Sequence, residues 1–146
     1  MVDVVELEPE ATHSLRRAVL RDGTASDRVV FDGDDEPTTI HLGVRRGGEL
    51  IAISSWMRRR YPDLPALVGY QLRGMATEPR SSGTGAGTAL LVEGIRRVTE
   101  RGASVVWARA RVSALPFYER HGFETIGDEY VDLTTGLPHR DILLRI

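Results

Sequence analysis

Three alternating glycines in the middle of the chain, Gly83, Gly85 and Gly87, restrict what this sequence can fold into more than any other feature. An extended segment precedes them, and an amphipathic helix predicted to begin near Thr88 follows. Glycines let the backbone turn tightly and approach a ligand closely, so that successive N–H groups converge on it. A helix start adds unpaired N–H donors and the positive end of its dipole. The stretch therefore predicts an anion-binding loop for a phosphate or pyrophosphate.

Two common phosphate-binding loops do not fit this spacing. A Walker P-loop needs a lysine and then Ser or Thr after its last glycine, but Thr88 follows Gly87 and the chain contains no lysine. The dinucleotide fingerprint needs glycines at relative positions one, three and six, and the sixth position counted from Gly83 is Thr88. A structural turn without a ligand is the remaining alternative to a binding loop.

The stretch resembles motif A of the GCN5-related N-acetyltransferases (GNAT), in which Gln/Arg-x-x-Gly-x-Gly holds the coenzyme A pyrophosphate. If residues 89–91 are aligned with the family's Ala-Leu-Leu, Ser82 replaces the basic residue, and Pro79 matches a frequent proline. A shift of two residues puts Arg80 there instead. The resemblance also implies that the strand before the loop pairs with the pantetheine arm. The coenzyme-binding residues it implies are Met75, Ala76, Thr77, Arg80, Ser82, Gly83, Thr84, Gly85, Ala86, Gly87, Thr88 and, from the second motif, Phe117.

A second motif lies at residues 111–123. It resembles the GNAT pattern Asn-x-x-Ala-x-x-Phe/Leu-Tyr-x-x-x-Gly-Phe and matches it at Ala114, Phe117, Tyr118, Gly122 and Phe123. Arg111 replaces the frequent asparagine. From the residues alone, Ser113 caps a short helix, Gly122 ends it, and the aromatic pair belongs to the core. The resemblance makes Tyr118 the hydroxyl donor to the coenzyme sulfur.

No glutamate base is found where the family often carries one. That position holds Gln71, whose amide cannot accept a proton at neutral pH, on a strand predicted over 67–77. We expect His139 to accept the amine proton, because imidazole titrates in the right range and the final strands border the acceptor pocket in this fold. His41, Glu129 and direct loss to water are the alternatives. Strand alternation puts Gln71, Arg73, Met75 and Thr77 on one face.

The chain reads as one domain over residues 1–146. Hydrophobic patterns predict strands at 2–7, 39–44, 50–57, 67–77 and 103–110, two more within 124–146, and helices after Pro9, from Thr88 and from Ser113. Arg16, Arg17 and Arg21 are predicted on the solvent face of the first helix. A strand–helix–strand run over 67–110 predicts a parallel crossover. The resemblance implies an α/β fold with a mixed central sheet, splayed at the coenzyme site, and helices on both faces.

Composition narrows the function further. The chain has no cysteine and a net charge of −2, which disfavour thiolate metal sites and a nucleic-acid partner. The acidic segment 32–37 lacks the glycine and glutamate of a calcium loop, so no metal is expected. No apolar run suggests a membrane partner, and a cytoplasmic location is the default. The resemblance implies the function, which is transfer of an acetyl group from acetyl-CoA to a primary amine of a small molecule or peptide. A non-catalytic acyl-CoA-binding sensor is the alternative, and homodimers are frequent in the family resembled.

Overall fold

The computed structural model describes residues 2–24 and 26–146. Met1 and Ala25 lie outside the described residues, and Ala25 belongs to the loop predicted over 22–38. Within these residues seven strands form one sheet in the order β1-β2-β3-β4-β5-β7-β6. The strands are β1 (Asp3–Glu6), β2 (Ile40–Arg46), β3 (Glu49–Arg58), β4 (Gly69–Thr77), β5 (Val105–Arg111), β6 (Glu124–Val131) and β7 (Pro138–Arg145). Neighbouring strands are antiparallel except β4 and β5, which are parallel. The sheet is therefore mixed, as predicted.

Helices cover both faces of the sheet, which confirms the predicted fold class. The first helical segment comprises a 3₁₀ turn at Pro9–Thr12, α1 at His13–Leu15 and a π-helical turn at Arg16–Leu20, and the others are α2 (Ala86–Glu100) and α3 (Leu115–Arg120). On one face Leu15 packs with Ile53 of β3. On the other, Leu90 of α2 and Tyr118 of α3 share a core with Trp56. In the described residues no helix is long and apolar enough to cross a membrane.

Two helix starts differ from the predictions. α2 begins at Ala86 rather than near Thr88, because Gly85 adopts the left-handed conformation (φ 89°) and turns the chain directly into the first helical turn. Ser113 does not cap α3. It lies inside a 3₁₀ turn over Val112–Ala114, and neither that turn nor α3 has a side-chain cap in the described chain. Gly122, with φ 90°, ends α3 as predicted.

A β-bulge interrupts β4 at Gly74. The pairing with β3 shifts by one residue, because Arg73 lies opposite Ser55 whereas Ala76 lies opposite Ile53. Gly74 has φ 61°, a conformation that side chains other than glycine rarely adopt. A bulge of this kind places one extra residue in one strand and reverses the faces of the residues that follow it.

The bulge changes which residues of β4 share a face. Gln71 and Arg73 precede it and lie on the face covered by the first helical segment. Ala76 also packs on that face, with Leu7 and Leu15, whereas Met75 packs against the core beneath α2. The predicted alternation, which placed Met75 and Thr77 on the face of Gln71, is therefore wrong beyond Arg73. A bulge cannot be read from a period of two.

The two parallel strands separate after a short contact. Gly69–Gln71 of β4 pair with Val105–Trp107 of β5, and no later residues of these strands pair with each other in the described structure. β4 continues to Thr77 and β5 to Arg111. Their carboxyl-terminal halves thus diverge, which is the splay that the resemblance implied. The gap leaves backbone N–H and C=O groups of both strands without a strand partner, and open α/β sheets bind ligands at such a place.

Candidate active site

The glycine loop (residues 82–88) is shaped by its glycines and by one side chain. Gly83 and Gly85 have φ values of 78° and 89°, and a Cβ at either would meet no atom within 4 Å. Glycine is therefore required there by backbone conformation and not by crowding. The Thr84 hydroxyl donates a hydrogen bond of 2.6 Å to the Ser81 carbonyl and fixes the turn.

Five backbone N–H groups of this loop are free to bind an anion. In the described part of the chain, no hydrogen bond is donated by the backbone N–H groups of five residues: Gly83, Gly85, Ala86, Gly87 and Thr88. The first helical bond runs from the Ala89 N–H to the Gly85 carbonyl, at 3.0 Å. Free donors at a helix start and the positive dipole end together favour a phosphate group. The loop thus has the chemistry that its glycine spacing predicts.

The two sequence motifs meet in space. A Cβ at Gly87 would lie 3.5 Å from the Phe117 ring and 3.8 Å from the Thr77 hydroxyl oxygen. The Thr88 hydroxyl lies 3.3 Å from Nε2 of His121, next to α3. The start of α2, the end of β4 and α3 therefore enclose one site, although they are far apart in sequence.

Two residues, Arg80 and Ser82, are candidates for the basic position of motif A. The guanidinium of Arg80 donates to Glu78 and to Glu49, both at 2.9 Å. Its side chain is 73% exposed, so these ion pairs are well solvated and contribute little to stability. A coenzyme phosphate would compete with two carboxylates for Arg80, whereas the exposed Ser82 has no side-chain partner among the described residues.

A cavity of about 770 Å³ fills the gap between β4 and β5. The structure brings together there Met75 and Gln71 from β4, Tyr118 from α3 and His139 from β7. Its volume is typical of small-molecule sites. Glu129, an alternative base, is exposed on β6 and lies outside the lining.

Tyr118 lines this cavity. The residue is 6% exposed, its ring packs edge-on against Phe117 and Phe123, and in the described structure its hydroxyl has no protein hydrogen-bond partner. Burial raises the pKa of Tyr118 above the ordinary value of a phenol. The hydroxyl therefore stays protonated and can donate a hydrogen bond to an anion in the cavity.

The His139 ring is oriented by its own strand connection. Nδ1 lies 3.0 Å from the Leu137 carbonyl, which can only accept, so Nδ1 carries the proton of the neutral ring. Nε2 is then left with its lone pair. The ring stacks on Tyr130, and His139 lies opposite Arg111 of β5. Gln71, buried in the same lining, can orient water but cannot act as a base.

His41 belongs to a buried network instead of the cavity. Its Nδ1 accepts from the Ser55 hydroxyl at 2.7 Å, and its Nε2 donates to the Asp34 carbonyl at 3.0 Å. Arg16 completes the network with two bonds to the Asp34 carboxylate, at 2.7 and 3.0 Å. The predicted solvent position of Arg16 is wrong, because its side chain is fully buried. The π-helical turn that begins at Arg16 ends next to the cavity lining.

The lining is strongly basic, which the sequence did not reveal. Two aspartates, Asp32 and Asp132, are its acidic members. The cavity arginines, as we call the basic members, are Arg21, Arg28, Arg59, Arg60, Arg73, Arg109 and Arg111. They come from four separate stretches of the chain, and the prediction had assigned Arg21 to solvent.

Comparison with known proteins identifies the family. A sequence profile described as "Acetyltransferase (GNAT) domain" matches residues 36–139, which include the glycine loop, Tyr118 and His139. The chain belongs to the GNAT acetyltransferase family. This GNAT protein is an acyl-CoA-dependent N-acyltransferase with acetyl-CoA as its co-substrate.

Relatives of this GNAT protein agree with that assignment. The uncharacterized N-acetyltransferase YitI of Bacillus subtilis (strain 168) is 29% identical over 130 residues, 89% of this chain and 87% of that protein. FeeM, an N-acyl amino acid synthase from uncultured soil microbes, has a TM-score of 0.84 at 16% identity, covering 99% of this chain and 91% of its own. An aminoglycoside 6'-N-acetyltransferase complexed with coenzyme A has a TM-score of 0.72 at 14% identity, covering 98% and 96%. At these identities the two solved structures support the fold.

Proposed function

We propose that this GNAT protein acetylates a primary amine on a small molecule or peptide, with Tyr118 and His139 as its catalytic residues. The observation that carries the proposal is that both side chains line one cavity, which opens between the splayed strands. The glycine loop lies outside this lining, but Gly87 adjoins Phe117, the residue before Tyr118. The site combines a phenol donor without a protein partner among the described residues, an imidazole with an available Nε2 and, next to them, a loop with five free N–H groups. These are the groups that direct attack of an amine on a thioester requires.

The coenzyme is proposed to bind along the end of β4. Free N–H groups of the glycine loop would hold the pyrophosphate, with Ser82 or Arg80 at the edge. In the described structure Met75–Thr77 pair with β3 on one side only. On the side of the gap their backbone would pair with the pantetheine arm, and Phe117 would pack against it. N–H groups of this same segment are our candidates for stabilising the tetrahedral oxyanion.

The proposed reaction needs one proton acceptor and one hydrogen-bond donor. The neutral amine nitrogen bonds to the thioester carbon, the C–S bond breaks, and the sulfur leaves as a thiolate. Nε2 of His139 accepts the proton that the attacking nitrogen loses, directly or through water held by Gln71. Tyr118 donates a hydrogen bond to the departing sulfur. Full proton transfer from Tyr118 is uphill, because a phenol's reference pKa of about 10 exceeds a thiol's of about 8.5 and burial raises the Tyr118 pKa further.

Coenzyme binding is tested first by thermal unfolding with acetyl-CoA, CoA, ATP and NAD offered separately. Ligand at about a hundred times its dissociation constant should stabilise the fold by roughly 2.7 kcal/mol, a shift of several degrees. We expect a rise with the two coenzyme A species alone, followed by thiol release when amines are added. Coenzyme binding without transfer to any amine would favour the sensor alternative. Stabilisation by ATP or NAD instead would contradict the proposed loop function.

Gly85 and Gly102 provide a matched pair for the loop. Both have φ 89°, both lie at an end of α2, and a Cβ at either would meet nothing within 4 Å. Alanine at each position should therefore lower the free energy of unfolding by a similar amount, about 1–2 kcal/mol. We expect Gly85→Ala, but not Gly102→Ala, to weaken the coenzyme-induced rise in the unfolding midpoint. An equal loss in both variants would mean that the loop does not bind the coenzyme.

His139→Gln tests the proton acceptor. Glutamine cannot take a proton, so turnover should fall by about 100-fold, and the decline of kcat/KM on acidification that comes from imidazole protonation should disappear. Protonation of the acceptor amine also lowers kcat/KM on acidification. Acceptors whose amines have different pKa values separate this contribution of the substrate from that of the enzyme. His13→Gln, which alters a histidine outside the cavity lining, is the control. An unchanged acidic limb in His139→Gln would assign the proton to water.

Two further parts of the proposal concern setting. We propose a cytoplasmic location, where acetyl-CoA is available, and catalysis without nucleic-acid or membrane partners. A homodimer stays a prediction from the family resemblance, and sedimentation of the purified chain would test it.

A further inference from the structure

We propose that the acceptor amine also carries an acidic group, a carboxylate or a phosphate, which the cavity arginines bind. This inference rests on the proposed function, since it names the class of acceptor at the same site. It starts from the imbalance of charge in the lining, where seven guanidinium groups accompany two carboxylates. A cavity that holds unneutralised cations attracts anions and rejects purely cationic amines.

Two of the cavity arginines, Arg59 and Arg73, converge on one neutral group. Arg59 and Arg73 both donate to the carbonyl oxygen of Asp32, at 3.1 and 3.3 Å. Arg73 also lies over the Phe31 ring, 4.7 Å from its centroid. Burial and then the charge of Arg59 lower the pKa of Arg73. Two like charges thus converge on one carbonyl, an arrangement that an oxyanion between them would stabilise.

Two further cavity arginines also donate to backbone carbonyls. Arg21 donates to the Arg28 carbonyl at 2.6 Å, and Arg111 donates to the Leu20 carbonyl. Arg109 donates no hydrogen bond within the described residues and is exposed at the cavity. The carbonyls hold the guanidinium groups of Arg21 and Arg111 in place. Burial lowers the pKa of both groups and outweighs the opposing charge of Asp132. In the described residues no carboxylate lies within ion-pair distance of either one or of Arg109.

The nearby carboxylates bond mainly to neutral groups. Asp141 lies opposite Arg109 on β7, but its two oxygens accept from the hydroxyls of Tyr61 and Tyr130. Asp132 accepts from the N–H and the hydroxyl of Thr135, at 2.9 and 3.0 Å. Glu36 approaches Arg59 to 3.5 Å, but its side chain is 47% exposed. In the described part of the chain this is the one ion pair that involves a cavity arginine. The two aspartates of the lining and Glu36 therefore do not balance the seven positive charges of the cavity arginines.

The position of the arginines points to the acceptor and not to the coenzyme. Arg73 precedes the bulge and lies on the face of β4 covered by the first helical segment. Arg109 and Arg111 share that face of β5, because they alternate with Ala108 and Ala110 in the core beneath α2. The glycine loop opens α2 on the opposite face. Arg111 is also the strand partner of His139, so a bound acid would lie near the proposed base.

The test compares acceptors with and without an acidic group, using the full chain and acetyl-CoA, at a pH where the rates can be corrected for the fraction of neutral amine. Glycine and larger amino acids are compared with their amides, which probes a carboxylate, and phosphoethanolamine with ethanolamine, which probes a phosphate. We expect the acid of at least one type to have a kcat/KM about tenfold or more above its neutral partner. Arg73→Gln should remove this preference by raising the KM of the acid and leave the KM of acetyl-CoA unchanged. Arg109→Gln, at an exposed residue, gives a second variant that does not risk the fold.

Arg58→Gln is the matched control, because Arg58 is an exposed arginine of β3 outside the cavity lining. A second readout needs no turnover: the unfolding midpoint with CoA plus N-acetylglycine or N-acetylglycinamide. Stabilisation by N-acetylglycine but not by N-acetylglycinamide would support the acidic subsite, even if no amine were acetylated. This stabilisation should be lost in Arg73→Gln. Equal use of acidic and neutral acceptors without such stabilisation would overturn it while acetyl transfer stood.

Discussion

Tyr118→Phe should lower kcat by about 10²–10⁴-fold, the range in which a positioned proton or hydrogen-bond donor contributes to catalysis. In free energy this corresponds to roughly 3–5 kcal/mol of lost transition-state stabilisation. The ring of Tyr118 packs between Phe117 and Phe123, so phenylalanine keeps the packing and removes only the hydroxyl. We therefore expect the dissociation constant of CoA and the unfolding midpoint to change little.

The pH dependence distinguishes a donor from a phenolate base. Because burial raises the pKa of Tyr118, the hydroxyl is protonated throughout the working range, and the shape of the pH–rate profile below about pH 10 should be the same in both proteins. Tyr61→Phe is the control, since it removes a hydroxyl that is bonded to Asp141 and lies outside the cavity lining. Equal losses of turnover and coenzyme affinity in Tyr118→Phe would contradict the role of sulfur donor.

Asp34→Asn should produce the largest loss of stability among these variants. Asp34 neutralises Arg16 in a buried pair whose side chains are 0% and 3% exposed. Removing one partner of a buried ion pair costs about 3–5 kcal/mol, because the other charge is left uncompensated. For a domain of this size that loss lowers the unfolding midpoint by roughly 10 °C. Asp35→Asn, at the exposed neighbouring residue, should have almost no effect.

Acidification should reproduce part of this loss. Burial by itself raises the pKa of Asp34, but hydrogen bonds from Arg16 and from the Phe31 N–H outweigh it, and the pKa lies below its ordinary value. Such a carboxylate stabilises the fold above its unfolded pKa of about 3.9, and that stability is lost as the pH falls through the lower folded pKa. The difference between wild type and Asp34→Asn should be constant from about pH 5 to 8 and shrink below about pH 4. A difference that stayed constant at low pH would exclude the ion pair as its source.

The Asp34 network also supports the acceptor side of the site. Arg16 donates to the Val29 carbonyl at 2.8 Å and lies over the Phe31 ring, 3.8 Å from its centroid. Phe31 and Asp32 then form one wall of the cavity. Asp34→Asn should therefore raise the KM of the acceptor more than that of acetyl-CoA at a temperature where the variant is folded. Steady-state kinetics with each substrate varied in turn would measure this.

The sequence predicted what contiguous residues encode. Alternating glycines before a helix determine a loop with converging N–H groups, and the structure has five free donors there. A strand–helix–strand pattern determined the parallel crossover, and the sheet confirms the mixed α/β fold. Gly122 ended a short helix as its conformational freedom suggested. In each case a backbone conformation depends on residues a few positions apart, so it can be read along the chain.

Tertiary structure decided the rest, because burial and charge neutralisation depend on residues distant in sequence. The helical pattern predicts a solvent position for Arg16, whereas in the fold its buried guanidinium donates hydrogen bonds to Asp34 and Ser55. The bulge at Gly74 puts Met75 on the opposite face of the sheet from the one predicted. The alternation of polar and apolar side chains does not reveal such a bulge. The cavity arginines come from four stretches that meet only in the fold. One signal was present, since Arg73 and Arg109 occupy the neighbouring parallel strands β4 and β5. Only the packing shows that no carboxylate of the described chain lies within ion-pair distance of either one.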